Sequence, residues 1–135
     1  MGRPAGQLVE SVDAERDAKV PRAAFREAVE QVRLEIEELA KLRCSTPNPP
    51  PFTRSSKDGE YPRARTYEFV DGLRVVYSEE AKAFRLYSKT HDNHGRFLNE
   101  GLRDGTTRPY GALIDQERDW SARVMQVARR INRGR

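Results

Sequence analysis

The residues of this chain whose types could support chemistry are few, and they lie apart in the sequence. Cys44 is the single cysteine among 135 residues, which excludes an intrachain disulfide and fits a reducing compartment. A nucleophilic cysteine needs an activating partner, but the two histidines, His91 and His94, stand in a different segment. We therefore interpret Cys44 as a residue at a helix end without a chemical role.

Metal-ligating residue types cluster only at His91-Asp92-Asn93-His94. A zinc site requires three or four ligands at defined spacings, and no further ligand stands at a diagnostic distance. A turn capped by Asp92 and Asn93, with exposed imidazoles, is the favoured interpretation, and no metal site is predicted. The sequence also shows no glycine-rich phosphate loop, nucleophile elbow or assignable acid–base pair, so no catalytic residue is predicted.

Residues 78–105 form the most informative stretch of the chain. Ser78 is suited to cap a helix, and the acidic pair Glu79-Glu80 would complement the dipole of its first turn. The helix predicted here continues through the step Tyr87-Ser88 and breaks at residues 91–95. A second short helix then reads Leu98-Asn99-Glu100-Gly101-Leu102-Arg103.

This order of an acidic-pair helix, a Tyr-Ser step and an Asn-x-x-Leu-Arg helix resembles the helical entry region of bacterial mono-ADP-ribosyltransferase domains. The resemblance implies NAD as cofactor, with Tyr87 and Asn99 as the residues that reach the NAD cleft. It further implies a bacterial effector, cytoplasmic or secreted into a host cell, that belongs to a family transferring ADP-ribose to a host protein target.

Several parts of the family's catalytic core have no counterpart in this sequence. The NAD-binding arginine, the Ser-Thr-Ser strand and the Glu-x-Glu turn are expected beyond residue 135, and Glu35-Ile36-Glu37 is rejected as catalytic because it lies within a helix. The resemblance therefore predicts a truncated or incomplete transferase and leaves enzymatic activity open. The alternative function is a small helical protein-interaction module, an adaptor or chaperone-like protein, without catalytic activity.

The elements that would position these residues define a mainly α fold: a small helical domain with one β-hairpin. We expect a flexible N-terminus over residues 1–20, an amphipathic helix over 21–43 and a Pro/Ser-rich linker over 44–65. Residues 66–135 form the part that resembles the start of the transferase domain, in which Asp71-Gly72 predicts the hairpin turn. A last helix is expected from about Leu113 to Gly134, with a buried stripe formed by Trp120, Val124, Val127 and Ile131.

The helix over residues 21–43 carries one continuous apolar stripe at spacings of four and three, formed by Phe25, Val29, Val32, Ile36 and Leu39. A stripe this regular must be buried against something. The domain's own core is one solution, and a partner docked on the helix is the other.

Composition narrows the classes of partner. Charged residues make up 34% and hydrophobic residues 36% of the chain, and the mean hydropathy is −0.87. No apolar run approaches the length of a membrane span and no conventional secretory signal is present, so a soluble protein without a membrane partner is expected. Nucleic-acid binding is the weakest hypothesis and depends on a basic C-terminus formed by Arg118, Arg123, Arg129, Arg130, Arg133 and Arg135.

Overall fold

The computed structural model describes residues 20–46, 59–61, 68–89 and 110–134. Its elements, in chain order, are α1 (Arg22–Arg43), α2 (Glu68–Asp71), β1 (Leu73–Ser78), β2 (Ala83–Ser88), α3 (Tyr110–Glu117) and α4 (Trp120–Arg133). The architecture is mainly helical with a two-stranded antiparallel sheet, which confirms the predicted fold class at this level. No helix in these ranges combines the length and the apolar character that crossing a membrane requires.

Helix α1 begins at Arg22, one residue after the predicted start at residue 21, and ends at the predicted residue 43, because local signals fix both of its ends. Pro21 precedes it with φ −59° and ψ 147°, and its carbonyl accepts a hydrogen bond from the Phe25 amide at 3.1 Å. Proline suits this position because its missing N–H would have no helical partner. At the other end the Cys44 amide donates to the Ala40 carbonyl, and the hydroxyl of Ser45 donates to the Leu42 carbonyl at 2.7 Å.

The apolar stripe of α1 lies in the core of the domain. Phe25, Val29, Val32 and Ile36 are buried, and Leu39 is partly buried against the same cluster. The stripe is covered by the hairpin on one side and by α4 on the other. The hairpin contributes Leu73, Val75, Phe84 and Leu86, and α4 contributes Trp120, Val124, Val127 and Ala128. Burying a large apolar side chain is worth about 1.5–3 kcal/mol. The interpretation of this stripe as a free docking face for a partner is therefore wrong.

The hairpin exists, but it lies further along the chain than the sequence predicted. Asp71-Gly72 is not its turn, because Glu68–Asp71 forms a single helical turn, α2, immediately before β1. The strands pair from Leu73 with Ser88 to Ser78 with Ala83, and residues 79–82 form the turn. The helix predicted to start at Ser78 and to run through Tyr87 is wrong, since this segment is the hairpin turn followed by β2.

The capping signal at Ser78 is real, but it closes a turn rather than starting a helix. The Ser78 hydroxyl accepts a hydrogen bond from the Ala81 amide at 3.1 Å, which is the contact that an N-cap makes. Lys82 then adopts a positive φ of 54°, a conformation that ends helical propagation. Phe84 and Leu86 can pair across the sheet with Tyr77 and Val75, and burial of that face overrides the local helix signal.

The last predicted helix is two helices. Asp119 separates α3 from α4, and its carboxylate accepts a hydrogen bond from the Ala122 amide at 3.0 Å, which caps α4. The buried Trp120 indole N–H donates to the Ile114 carbonyl at 2.8 Å and fixes the corner between the helices. Trp120, Val124 and Val127 are buried as predicted, and Ile131 is partly buried against the core.

Candidate binding cleft

Of the two residues that the resemblance assigns to an NAD cleft, the structure describes Tyr87. Tyr87 lies on β2 opposite Arg74, on the sheet face that points away from α1, whereas Asn99 lies outside the described residues, as do His91 and His94. No group of three or more potential metal ligands occurs within the described ranges. Cys44 is fully buried, and this burial raises the pKa of its thiol to about 12, so a reactive thiolate is not formed near neutral pH.

A cleft of about 420 Å³ lies between the first half of α1 and strand β1 with its turn. We call it the α1–β1 cleft. Its size falls within the range of about 300–1,000 Å³ that is typical of ligand-binding pockets. Apolar and charged side chains contribute to its walls, which are formed by Arg22, Phe25, Arg26, Val29, Glu30, Arg33, Val75, Val76, Tyr77, Glu79 and Lys82.

The inner end of the cleft is closed by a clamp between α1 and the outer edge of β1. The Val75 amide donates to Glu37 Oε2 at 3.0 Å, and Arg33 Nη1 donates to the Val75 carbonyl at 3.0 Å. Arg33 Nη1 also contacts Glu37 Oε2 at 3.3 Å. Two side chains of α1 thus take the place that a neighbouring strand would occupy at Val75, and they satisfy both of its backbone groups.

The charges that line the cleft fall into a neutralised set and an unpaired set. Arg33 is paired with Glu30 and Glu37, and its hydrogen bond is the main reason that the pKa of the Glu30 carboxyl is lowered. By contrast, the side chains of Arg22, Arg26 and Lys82 make no ion pair in the described part of the chain. Glu79 also lines the cleft without an ion pair among the described residues, so three cations face one carboxylate in the unpaired set. We call the part of the cleft formed by Arg22, Arg26 and Lys82 its cationic mouth.

Two further ion pairs hold the helices that support α1. Glu35 accepts two hydrogen bonds from the Arg123 guanidinium, at 2.6 and 3.0 Å, and this contact lowers the pKa of the Glu35 carboxyl. Arg123 belongs to the predicted basic C-terminal run, and its charge is used inside the domain. At the other end of α1, Arg43 binds Glu117 at 2.7 Å.

Glu117 also accepts a hydrogen bond from the Tyr61 hydroxyl at 2.9 Å. The hydrogen bonds from Arg43 and Tyr61 lower the pKa of the Glu117 carboxyl, while burial and the nearby carboxylate raise the pKa of the Tyr61 phenol. These contacts tie residues 59–61 to the ends of α1 and α3, on the side of the domain away from the cleft.

Sequence reasoning identified the charged face of α1 through Arg33 and Glu37 but missed its function as one wall of a cleft. A signal was available, because Arg22, Arg26, Glu30, Arg33 and Glu37 recur at spacings of three and four and so share one edge of the helix. No local signal pointed to Val76 or Lys82, since their position depends on where the hairpin turns.

Comparison of the chain with protein-family models, with curated proteins and with solved structures gives no match. The functional argument for this protein therefore depends on the cleft and its chemistry.

Proposed function

We propose that this protein is a small interaction module that binds a segment of a partner protein in the α1–β1 cleft. The observation that carries the proposal is the composition of the cleft: an apolar floor beside Arg22, Arg26 and Lys82, which make no ion pair among the described residues. Binding sites combine these two features, because the apolar area supplies affinity and a few polar groups fix orientation.

Exposed apolar surface next to the cleft supports the same function. Val76 lines the cleft and is 41% exposed, although a β-branched residue in a strand is ordinarily covered on at least one side. The large stripe on α1 is used internally, so the cleft is the place where the described residues offer both apolar contact and unpaired charge. A partner segment that covers Val76 would remove this apolar surface from water.

The proposal can be tested with a random peptide library displayed on phage and selected against the full-length protein. We expect enriched peptides whose binding is lost in Val76→Asp, because this change places a negative charge on the exposed β1 wall of the cleft. Leu34→Asp is the matched control, since Leu34 is 47% exposed on α1 and does not line the cleft.

Asp is disfavoured in strands, so Val76→Thr, which keeps the β-branched shape, serves as a second variant. It should weaken the same peptides to a smaller degree while leaving the unfolding midpoint of the protein nearly unchanged. The proposal is rejected if no selected peptide depends on Val76 more strongly than on Leu34.

The resemblance to mono-ADP-ribosyltransferases, with its NAD site and host target, stays a prediction. The segment that the resemblance assigns to the family's first helix is a hairpin turn and a strand in this structure. Of the two residues that the resemblance assigns to the NAD site, Tyr87 lies within the described part of the chain. Titration of isotope-labelled protein with NAD tests it directly. Saturable shifts of the Tyr87 resonances would support an NAD site, and unchanged resonances at millimolar NAD would remove it.

A further inference from the structure

The charge pattern of the α1–β1 cleft identifies the chemistry of a suitable partner. Four cationic side chains line it against two carboxylates, Glu30 and Glu79. Because Arg33 is already paired with Glu30 and Glu37, the groups left for a ligand are three cations, Arg22, Arg26 and Lys82, and one carboxylate, Glu79. An anionic ligand would gain from the three cations, whereas a cationic ligand would be repelled.

The helix that forms one wall adds to this preference. The first turn of α1 contains no acidic residue, and its N-cap, Pro21, offers no side-chain hydrogen bond. The positive end of the helix dipole is therefore not offset by a carboxylate in that turn. Arg22 and Arg26 extend the same positive potential along the edge of the cleft.

The length of the cleft favours an extended chain over a compact small molecule. The stretch of α1 from Arg22 to Arg33 spans about 16 Å at the helical rise of 1.5 Å per residue. An extended peptide covers about 3.3 Å per residue, so about five residues fit along this wall. The volume of about 420 Å³ leaves room for one or two apolar side chains on the floor.

The clamp at Val75 determines how such a peptide can bind. Glu37 and Arg33 occupy both backbone groups of Val75, so a peptide cannot extend the sheet through this residue. We therefore expect binding through side chains, with carboxylates at the cationic mouth and apolar groups against Val29 and Tyr77.

We propose that the partner segment is a short extended acidic peptide in which carboxylates flank one or two apolar side chains. This inference rests on the proposed function and specifies the ligand class of the same cleft. Arg22, Arg26 and Lys82 select the charge of the peptide, and the apolar floor selects its central side chains.

Three unlabelled synthetic peptides test the inference by NMR titration of the isotope-labelled full-length protein. The first is acetyl-Asp-Glu-Leu-Phe-Glu-amide, the second replaces its acids with Asn and Gln, and the third replaces Leu and Phe with Ala. Three exposed ion pairs at about 0.5 kcal/mol each correspond to about tenfold in affinity. We expect the first peptide to bind about tenfold more tightly than the second, to exceed the third, and to shift amides of α1 and β1.

Paired charge variants locate the contact. The double variant Arg22→Ala/Arg26→Ala should weaken the acidic peptide about fivefold and leave the neutral peptide unchanged. Arg130→Ala/Arg133→Ala is the control, because it removes two exposed arginines from α4 and should have little effect. Equal binding of the neutral and acidic peptides, or an equal loss in both double variants, would overturn the inference.

Failure of this inference is distinguishable from failure of the proposed function. If library selection yields peptides that depend on Val76 but carry no acidic residues, the cleft binds a partner and the acidic class is wrong. If no selected peptide depends on Val76, both proposals fail together.

Discussion

The clamp between α1 and β1 makes a quantitative prediction about stability. Glu37→Ala removes the carboxylate oxygen that accepts from the Val75 amide at 3.0 Å and from Arg33 at 3.3 Å. Val75 is 0% exposed, so its amide is left without a partner inside the domain. Arg33 keeps its contacts with Glu30 and with the Val75 carbonyl. The ion pair of Glu37 with Lys41 at 3.7 Å is also lost, but Lys41 is partly exposed, so the main cost is one buried donor.

The expected loss follows from the burial of the two groups. Leaving a buried donor unsatisfied costs about 1–3 kcal/mol. The Glu37 side chain is 14% exposed, so water can replace part of the contact, whereas the better helix propensity of Ala returns a few tenths of a kcal/mol. We therefore expect a loss of about 1.5 kcal/mol in the free energy of unfolding, and a smaller loss for Glu37→Gln, which keeps one oxygen acceptor.

Urea unfolding followed by the fluorescence of Trp120, the single tryptophan, measures this loss. With a urea m-value of about 1.5 kcal/mol/M, the midpoint should fall by about 1 M. Glu38→Ala is the matched control, because Glu38 is the neighbouring exposed glutamate on α1. The clamp is refuted if Glu37→Ala lowers the midpoint no further than Glu38→Ala does.

Three further predictions concern the turn, the cysteine and the acid limb of stability. Lys82→Gly should stabilise the protein by about 0.5–1 kcal/mol, because glycine tolerates the positive φ of 54° that costs other residues about 1 kcal/mol or more. The same change should weaken the binding of acidic peptides, because it removes a cation from the cleft. A gain in both stability and affinity, measured by urea unfolding and NMR titration, would contradict this prediction. Cys44 should resist thiol reagents in the native state, since burial raises the pKa of its thiol to about 12. The rate of labelling by an aromatic disulfide reagent measures this. Labelling that is faster than global unfolding would show that the thiol is accessible. The Arg123 guanidinium holds the pKa of the Glu35 carboxyl below 4.5 in the folded protein, so the stability that this ion pair contributes is present above pH 4.5 and is lost as the pH falls through the folded pKa. Urea midpoints measured across that range should fall less steeply in Glu35→Gln than in the unmodified protein. Equal slopes would argue against the Glu35–Arg123 ion pair.

Helix α1 shows which structural information is local. Its bounds follow from Pro21 at one end and from the basic last turn at the other, and its buried face follows from the spacing of the apolar residues. These signals act within a few residues of each other, so the sequence is enough to read them.

The hairpin shows how a correct local signal can predict the wrong element. Ser78 does accept a capping hydrogen bond, and Glu79-Glu80 does follow it, but one turn of capped backbone is compatible with a helix and with a hairpin. Pairing of Tyr77 with Phe84, whose rings meet edge to face at 5.5 Å, and burial of Leu86 decide between them. Those contacts join residues across the strands and have no local signature.

The candidate site likewise combines features that the sequence determines with features that only the tertiary structure determines. The sequence by itself determined the edge of α1 that carries Arg22, Arg26 and Arg33, because helical periodicity places residues at spacings of three and four together. Only the tertiary structure decided that this edge faces β1, that Glu37 and Arg33 bind the backbone of Val75, and that Lys82 joins the cationic mouth. A cleft is made by two elements, and the free energy that brings them together comes from burial of the stripe between them, which depends on the whole core rather than on any one segment.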